Sequence, residues 1–231
     1  MDTLQPAHGL LSRRSALGSL GLFALGLCLP LSGASAANGA EAFVRSNIDK
    51  SYAILNRGDS DREGEFRALL ASMVDTKRVA LFTLGPYARD LSRAEADSFV
   101  AAFTDYIAAI YQRGLETYKG RSLEVTGSTE RAPGDVIVNV VAADEGQPNS
   151  DVHLDFRVRH QPDGADVITD LRVEGVWLGL TQREEITAYL QQHHGSIAEL
   201  SSDVEKKAQQ IRAEENKSRS IAVPCAPGRC P

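Results

Sequence analysis

Asp151 to His160 reads DVHLDFRVRH, and this stretch decides the fold. Val152, Leu154, Phe156 and Val158 alternate strictly with Asp151, His153, Asp155, Arg157 and Arg159, the period of a strand with one dry and one wet face. Its neighbours repeat the theme. RSLEVTGST and DVIVNVVAA (from Asp135) precede it, and DVITDLRVEGVWL (Asp166 to Leu178) follows. Turn residues such as Pro133-Gly134, Pro148-Asn149 and Asp163-Gly164 separate them. Consecutive short strands with turn-length gaps predict an antiparallel meander. Its apolar face has to be covered, and the only segments available are helices on either side of it in the chain. The expected fold class is therefore α+β: a twisted antiparallel sheet of about four strands packed by helices from both ends of the chain.

Those helices can be read outward from the sheet. Upstream, Phe43, Val44, Ile48, Tyr52 and Leu55 recur at helical spacing, as do Phe66, Leu69, Leu70 and Met73 in a second helix expected from a Ser60-Asp61 cap. A third apolar segment, with Val79, Leu81, Phe82 and Leu84, stops at Gly85-Pro86. Ser92, with Glu95 three residues on, forms a capping box for what reads as the longest element, whose stripe runs Phe99, Val100, Phe103, Tyr106, Ile107, Ile110, Tyr111, Leu115 and Tyr118. Downstream, Thr181 with Glu184 predicts the start of a further helix, and Ser196 caps a last one. From Asp203 onward the charge density predicts fraying into a solvated tail.

The first 36 residues read as an export signal. Ser12-Arg13-Arg14 precedes an apolar run from Ala16 to Leu31, too short to span a membrane, and Ala34-Ser35-Ala36 is a small-x-small cleavage site. The twin arginine fits a Tat signal, and the same features fit a Sec signal. Cys28 follows Leu27 where a lipoprotein box wants a small residue, which argues against a lipid anchor. The expected organisation is thus a signal over 1–36, one domain over 37–204 and a charged, flexible tail over 205–231, in a periplasmic protein. The whole chain has 25 basic and 31 acidic residues. The leader holds Arg13, Arg14 and Asp2, so the exported chain keeps 23 and 30 and a net charge near −7, unsuited to nucleic acid. Cys225 and Cys230, in PCAPGRCP, fit a small disulfide loop in an oxidising compartment better than a metal site or a redox pair.

Catalytic and metal chemistry finds little to stand on. Outside the leader there are four histidines: His153 and His160 on the wet face or end of one strand, and His193 and His194 at a helix terminus. There is no GxSxG elbow, and no glycine-rich phosphate loop outside the leader. Asp59-Ser60-Asp61 lacks the glycine and distal glutamate of a calcium loop. Asp151, His153 and Asp155 share a strand face, which alternation alone explains. The expectation is a protein that is not an enzyme, with no cofactor and no metal. What remains is apolar and aromatic. A sheet roofed by long helices can be filled or hollow in the middle, and a hollow apolar middle is a lipid site.

The order of the pieces resembles the MlaC / toluene-tolerance (Ttg2-type) auxiliary family of periplasmic phospholipid-binding proteins, over about Glu41 to Val204. The family's short helix ending in Leu-Gly is matched by Leu84-Gly85. Its long helix with Phe and Tyr, ending in Tyr-x-Gly, is matched by Phe99, Phe103, Tyr111, Tyr118 and Gly120. Its closing Asp-(x)-Val-x-Gly-Val/Ile strand and the early Arg of the next helix are matched by Asp170, Val173, Gly175, Val176 and Arg183. Trp177 stands where a small polar residue is common, and Thr181-Gln182-Arg183 where Asn-Tyr-Arg is common. The resemblance implies an NTF2-like α+β fold enclosing acyl chains in an apolar cavity. It implies lipid traffic between an outer-membrane lipoprotein complex and an inner-membrane ABC transporter with its MCE-domain protein. The residues expected to line that cavity are Val79, Leu84, Phe99, Phe103, Ile107, Tyr111, Val138, Leu154, Phe156, Val173, Val176 and Trp177.

Three alternatives stand beside phospholipid carriage. A hopanoid or other polycyclic lipid would suit a flat ring against Trp177. A small NTF2-like isomerase or dehydratase would need His153 or His160 to face inward with an acid. An adaptor that binds only protein would have a filled core.

Overall fold

The computed structural model describes residues 32–57, 62–117, 121–144 and 150–222, with side chains described from 37 to 217. Most of the expected signal, together with Cys28, the Ser60-Asp61 cap, Tyr118, Gly120, Cys225 and Cys230, lies outside them. Three helices come first: α1 (Ser32–Leu55), α2 (Arg62–Met73) and α3 (Thr76–Thr83). A 3₁₀ turn (Gly85–Arg89) leads into α4 (Arg93–Thr117). The strands follow without interruption: β1 (Ser122–Ala132), β2 (Asp135–Ala143), β3 (Val152–His160), β4 (Asp166–Val173) and β5 (Val176–Trp177). Helices α5 (Leu178–Gln192) and α6 (Ile197–Ala222) close the chain.

The α+β class and the meander are as expected: the sheet order is β1-β2-β3-β4-β5 and every neighbour is antiparallel. The alternation of β3 turns Leu154, Phe156 and Val158 into the core. Opposite them on β2 stand Val140, Val138 and Val136, all buried. The other face is less wet than the pattern predicts. Asp155 is buried there, accepting from Asn139 Nδ2 (2.5 Å) and Arg172 Nε (2.6 Å) across three strands.

Two apolar layers meet on α4. On one side Ala108 joins the sheet together with Val44 and Ile48 of α1 and Leu70 and Met73 of α2. On the other, Phe99 and Phe103 pack with Leu84 and with Leu190, Leu200 and Val204 of α5 and α6. The capping box is present: the Ser92 N–H donates to Glu95 Oε2 (3.0 Å) and the Glu95 N–H to Ser92 Oγ (3.2 Å).

Four expectations change. The last strand is two strands, because Glu174 (φ 48°) and Gly175 (φ 85°) form a tight reversal between β4 and β5. Helix α5 starts at Leu178 instead of Thr181; its N-cap is Trp177, which offers no side-chain acceptor, and Asp170 of β4 supplies one by accepting the Gly179 N–H (3.0 Å). Thr181 instead donates to the Trp177 carbonyl from inside the first turn (3.3 Å). The segment from 205 continues as helix to Ala222, so α6, at 26 residues, is longer than α4 at 25. Its charges have partners on other helices, Arg212 with Glu63 (2.7 Å) and Glu214 with Arg113 (3.3 Å), and Ala208 is buried.

Candidate functional site

The seam between β4 and the helices does not close. Among the described residues, strand β5 pairs only with Arg172 and Val173, and no strand lies beyond the first part of β4. The link between α2 and α3 takes that place: the Asp75 N–H donates to the Ile168 carbonyl (3.1 Å) and Val74 bridges Ile168 in parallel. The register of β3 and β4 also slips between Arg157 and Val158, leaving Thr169 as an extra residue. Such a bulge turns side chains away from strict alternation, and the Thr169 hydroxyl donates back to the Arg157 carbonyl (3.3 Å).

Beside this irregular edge lies a cavity of about 160 Å³. Its floor is Phe156 with Ile168 and Leu171, and its roof is Ile107, Ile110 and Tyr111 of α4. Leu70, Met73 and Val74 close one end, Val79 stands at α3, and Leu178 and Gly179 form the rim at the start of α5. Thr169 and Asp170 complete the lining. The walls are otherwise hydrocarbon and aromatic. The Tyr111 hydroxyl is held by Ser51 Oγ (3.1 Å), which itself donates to the Asn47 carbonyl (2.7 Å). Burial pushes the Tyr111 hydroxyl up to about 12, its bond with Ser51 opposing. It stays protonated at any physiological pH.

A second cleft, polar and about 300 Å³, adjoins the first and shares Val79, Thr169 and Asp170 with it. Arg78, Arg157, Arg159 and Phe82 line the rest. Arg157 Nε and Nη2 donate to Asp135 at 2.9 and 2.6 Å, and Arg159 Nη2 adds a third bond at 3.1 Å. Chiefly through the Arg157 bond, and against desolvation, the Asp135 carboxyl sits below the usual carboxylate range and the Arg157 guanidinium above its own.

A family profile described as MlaC protein matches residues 45–206. The chain belongs to the MlaC family. A solved structure described as the phospholipid-binding protein from Ralstonia solanacearum in complex with a phospholipid has the same fold, with a TM-score of 0.62 at 20% identity, covering 75% of this chain and 98% of that one. A comparison with curated protein sequences gave no match.

In this MlaC-family chain the twelve residues expected to line a cavity are dispersed. Val79, Ile107, Tyr111 and Phe156 meet around the apolar cavity. Leu84, Phe99 and Phe103 lie on the far side of α4, in the filled core shared with α5 and α6. Val138 and Leu154 are buried under the sheet, and Val173 packs against that core. Val176 is 54% exposed, and Trp177 lies under the Arg172 guanidinium, 5.1 Å from its ring centre. The lining also takes in Leu70, Met73 and Ile110, which stood in the predicted helical stripes, and Ile168 and Leu171, which stood in a predicted strand. Thr169, Asp170 and Gly179 carried no apolar signal. His153 and His160 are exposed, and His160 Nδ1 pairs with Asp166 (2.9 Å), so neither has the inward orientation that an isomerase site required.

Proposed function

We propose that this chain is a periplasmic phospholipid carrier that takes acyl chains into the seam between β4 and helices α2, α4 and α5. The observation that carries this reading is the apolar cavity at that seam, in a chain of the MlaC family whose structural neighbour is described as holding a phospholipid. The chemistry is that of a shield. Each methylene exposed to water costs about 0.8 kcal/mol, so a carrier needs a dry wall and a mouth, and no reacting group.

The cavity as it stands has room for only part of a chain, since ligand pockets usually span about 300–1,000 Å³. Loading therefore separates the two walls further. The rim is the first turn of α5, which is tied to β4 through the Gly179–Asp170 hydrogen bond. The physiological route we infer is between an outer-membrane lipoprotein complex and an inner-membrane ABC transporter with an MCE-domain protein. The polycyclic-lipid alternative leaned on Trp177, which the Arg172 guanidinium covers outside the cavity lining.

Native mass spectrometry of the protein purified from periplasm without detergent tests carriage. A two-chain phospholipid at near-stoichiometric occupancy is the expected result. A folded protein of apo mass would overturn it in favour of the protein-binding adaptor, and a bound polycyclic lipid would replace the cargo.

A further inference from the structure

The polar cleft beside the cavity has no part in shielding hydrocarbon, yet it is the more elaborate of the two. Arg157 and Arg159 come from alternate positions of β3 and Arg78 from the first turn of α3, so two separate elements deliver three guanidiniums to one place. Each nearby carboxylate already has donors. Asp135 accepts three bonds from Arg157 and Arg159; with Asp170 in the lining and Asp75 beside Arg78, the guanidiniums are matched by carboxylates, so what the cleft offers an anion is directed donors and not net charge. Asp170 Oδ1 accepts the N–H groups of Leu171 (2.9 Å) and Gly179 (3.0 Å). Asp75 Oδ1 caps α3 by accepting the Arg78 N–H (3.1 Å), while the Arg78 guanidinium is 55% exposed and only 3.7 Å from the other oxygen of Asp75. A guanidinium has five N–H donors, so even Arg157 and Arg159 keep donors beyond those spent on Asp135. A rigid fork of N–H groups matches the oxygens of a phosphate.

From this geometry we infer that the Arg78–Arg157–Arg159 cleft is a phosphate-binding site, and that its contiguity with the apolar cavity assigns it to the phosphodiester of the bound lipid. The inference rests on the carrier reading above. Val79, Thr169 and Asp170 line both, so the place for the head adjoins the place for the chains. Asp135 serves as a positioning residue: nearly buried, it holds two flexible arginines at fixed angles before the lipid arrives.

The test separates head from chains. Lipid-stripped protein is offered an equimolar dispersion of dioleoyl phosphatidylglycerol and dioleoylglycerol, which share their chains, and native mass spectrometry counts each bound species. Phosphatidylglycerol should load in about tenfold preference, the scale of one charge-assisted contact in partly exposed surroundings. R78Q and R159Q should each move the ratio toward one, and Arg113→Gln, on the distant α4–α6 contact, should leave it unchanged. R159Q keeps the bidentate Arg157–Asp135 pair, and R78Q touches neither, so both variants should fold. Equal loading of the two lipids by the wild type would overturn the head-group site while carriage stood. Loading of neither would overturn carriage itself. If inorganic phosphate bound the stripped protein and R78Q abolished that binding without altering the lipid ratio, the cleft would belong to a free anion and the assignment to lipid would fall.

Discussion

Ile110→Trp puts the cavity reading to its sharpest test. Ile110 is half-buried on α4 and faces the cavity. A cavity of about 160 Å³ leaves room for an indole. If the ring occupied about 50 Å³ of it, the gain at about 24 cal/mol per Å³ would be about 1.2 kcal/mol, against about 1–3 kcal/mol for any overpacking. The net lies between a gain of about 0.2 and a loss of about 1.8 kcal/mol, so Tm should fall by no more than about 7 °C. Lipid binding has no such compensation. Excluding about two methylenes costs about 1.6 kcal/mol, a loss of roughly fifteenfold in affinity. Native mass spectrometry across a series of lipid concentrations reads that loss. Ala101→Trp, on the exposed face of the same helix, controls for adding an indole. Trp177 is the chain's one tryptophan, so a blue-shifted component in the variant's emission reports whether the new ring has entered the cavity. A folded variant with a buried indole and wild-type lipid occupancy would refute the placement of the chains.

Two further predictions concern what holds the site in place. The Asp135 carboxyl is depressed in the folded state, mainly by its bond with Arg157. Its contribution is therefore present above the unfolded pKa of about 3.9 and is lost as pH falls through the lower folded value. Asp135→Asn should cost about 2 kcal/mol at neutral pH, and urea midpoints of the two proteins should converge on acidification; a gap as wide at about pH 3 as at pH 7 would contradict the linkage. Removing residues 207–231 takes away the buried Ala208 and the Arg212–Glu63 and Glu214–Arg113 pairs. It should cost about 1–3 kcal/mol in urea unfolding, and an unchanged midpoint would mean that the end of α6 contributes nothing to the domain.

What the sequence makes legible here is what local rules control. Alternation in DVHLDFRVRH reports which side chains of β3 face the core, and Ser92 and Glu95 announce the start of α4 because both partners of the capping box lie within one turn. The start of α5 was hidden because its acceptor, Asp170, reaches Gly179 from another element. Charge misled at the C-terminus for a related reason. Glutamates and arginines at helical spacing look solvated until the helices that carry their partners, α2 and α4, are in place. The stripe on α4 was also sound, but it serves two cores. Phe99 and Phe103 belong to the helical side, and Ile107 packs against both cores, so a single apolar stripe could not separate filled core from cavity wall.

The position of the cavity follows from how unevenly the apolar surface is buried. Under β2, Val138, Val140 and Ala142 are at most 1% exposed, whereas Val74, Val79, Ile107, Ile110 and Leu171 around the seam are only partly buried and Leu178 is 36% exposed. At about 25 cal/mol per Å², the surface left uncovered there is stabilisation the protein forgoes, and it makes this seam cheaper to part than the sheet beside it. An acyl chain entering it covers both walls at once and recovers that deficit together with its own. The same partial burial that weakens the seam in the lipid-free protein is thus what gives a chain a reason to occupy it. The arginine cleft at its edge then decides which lipid's head can stay behind.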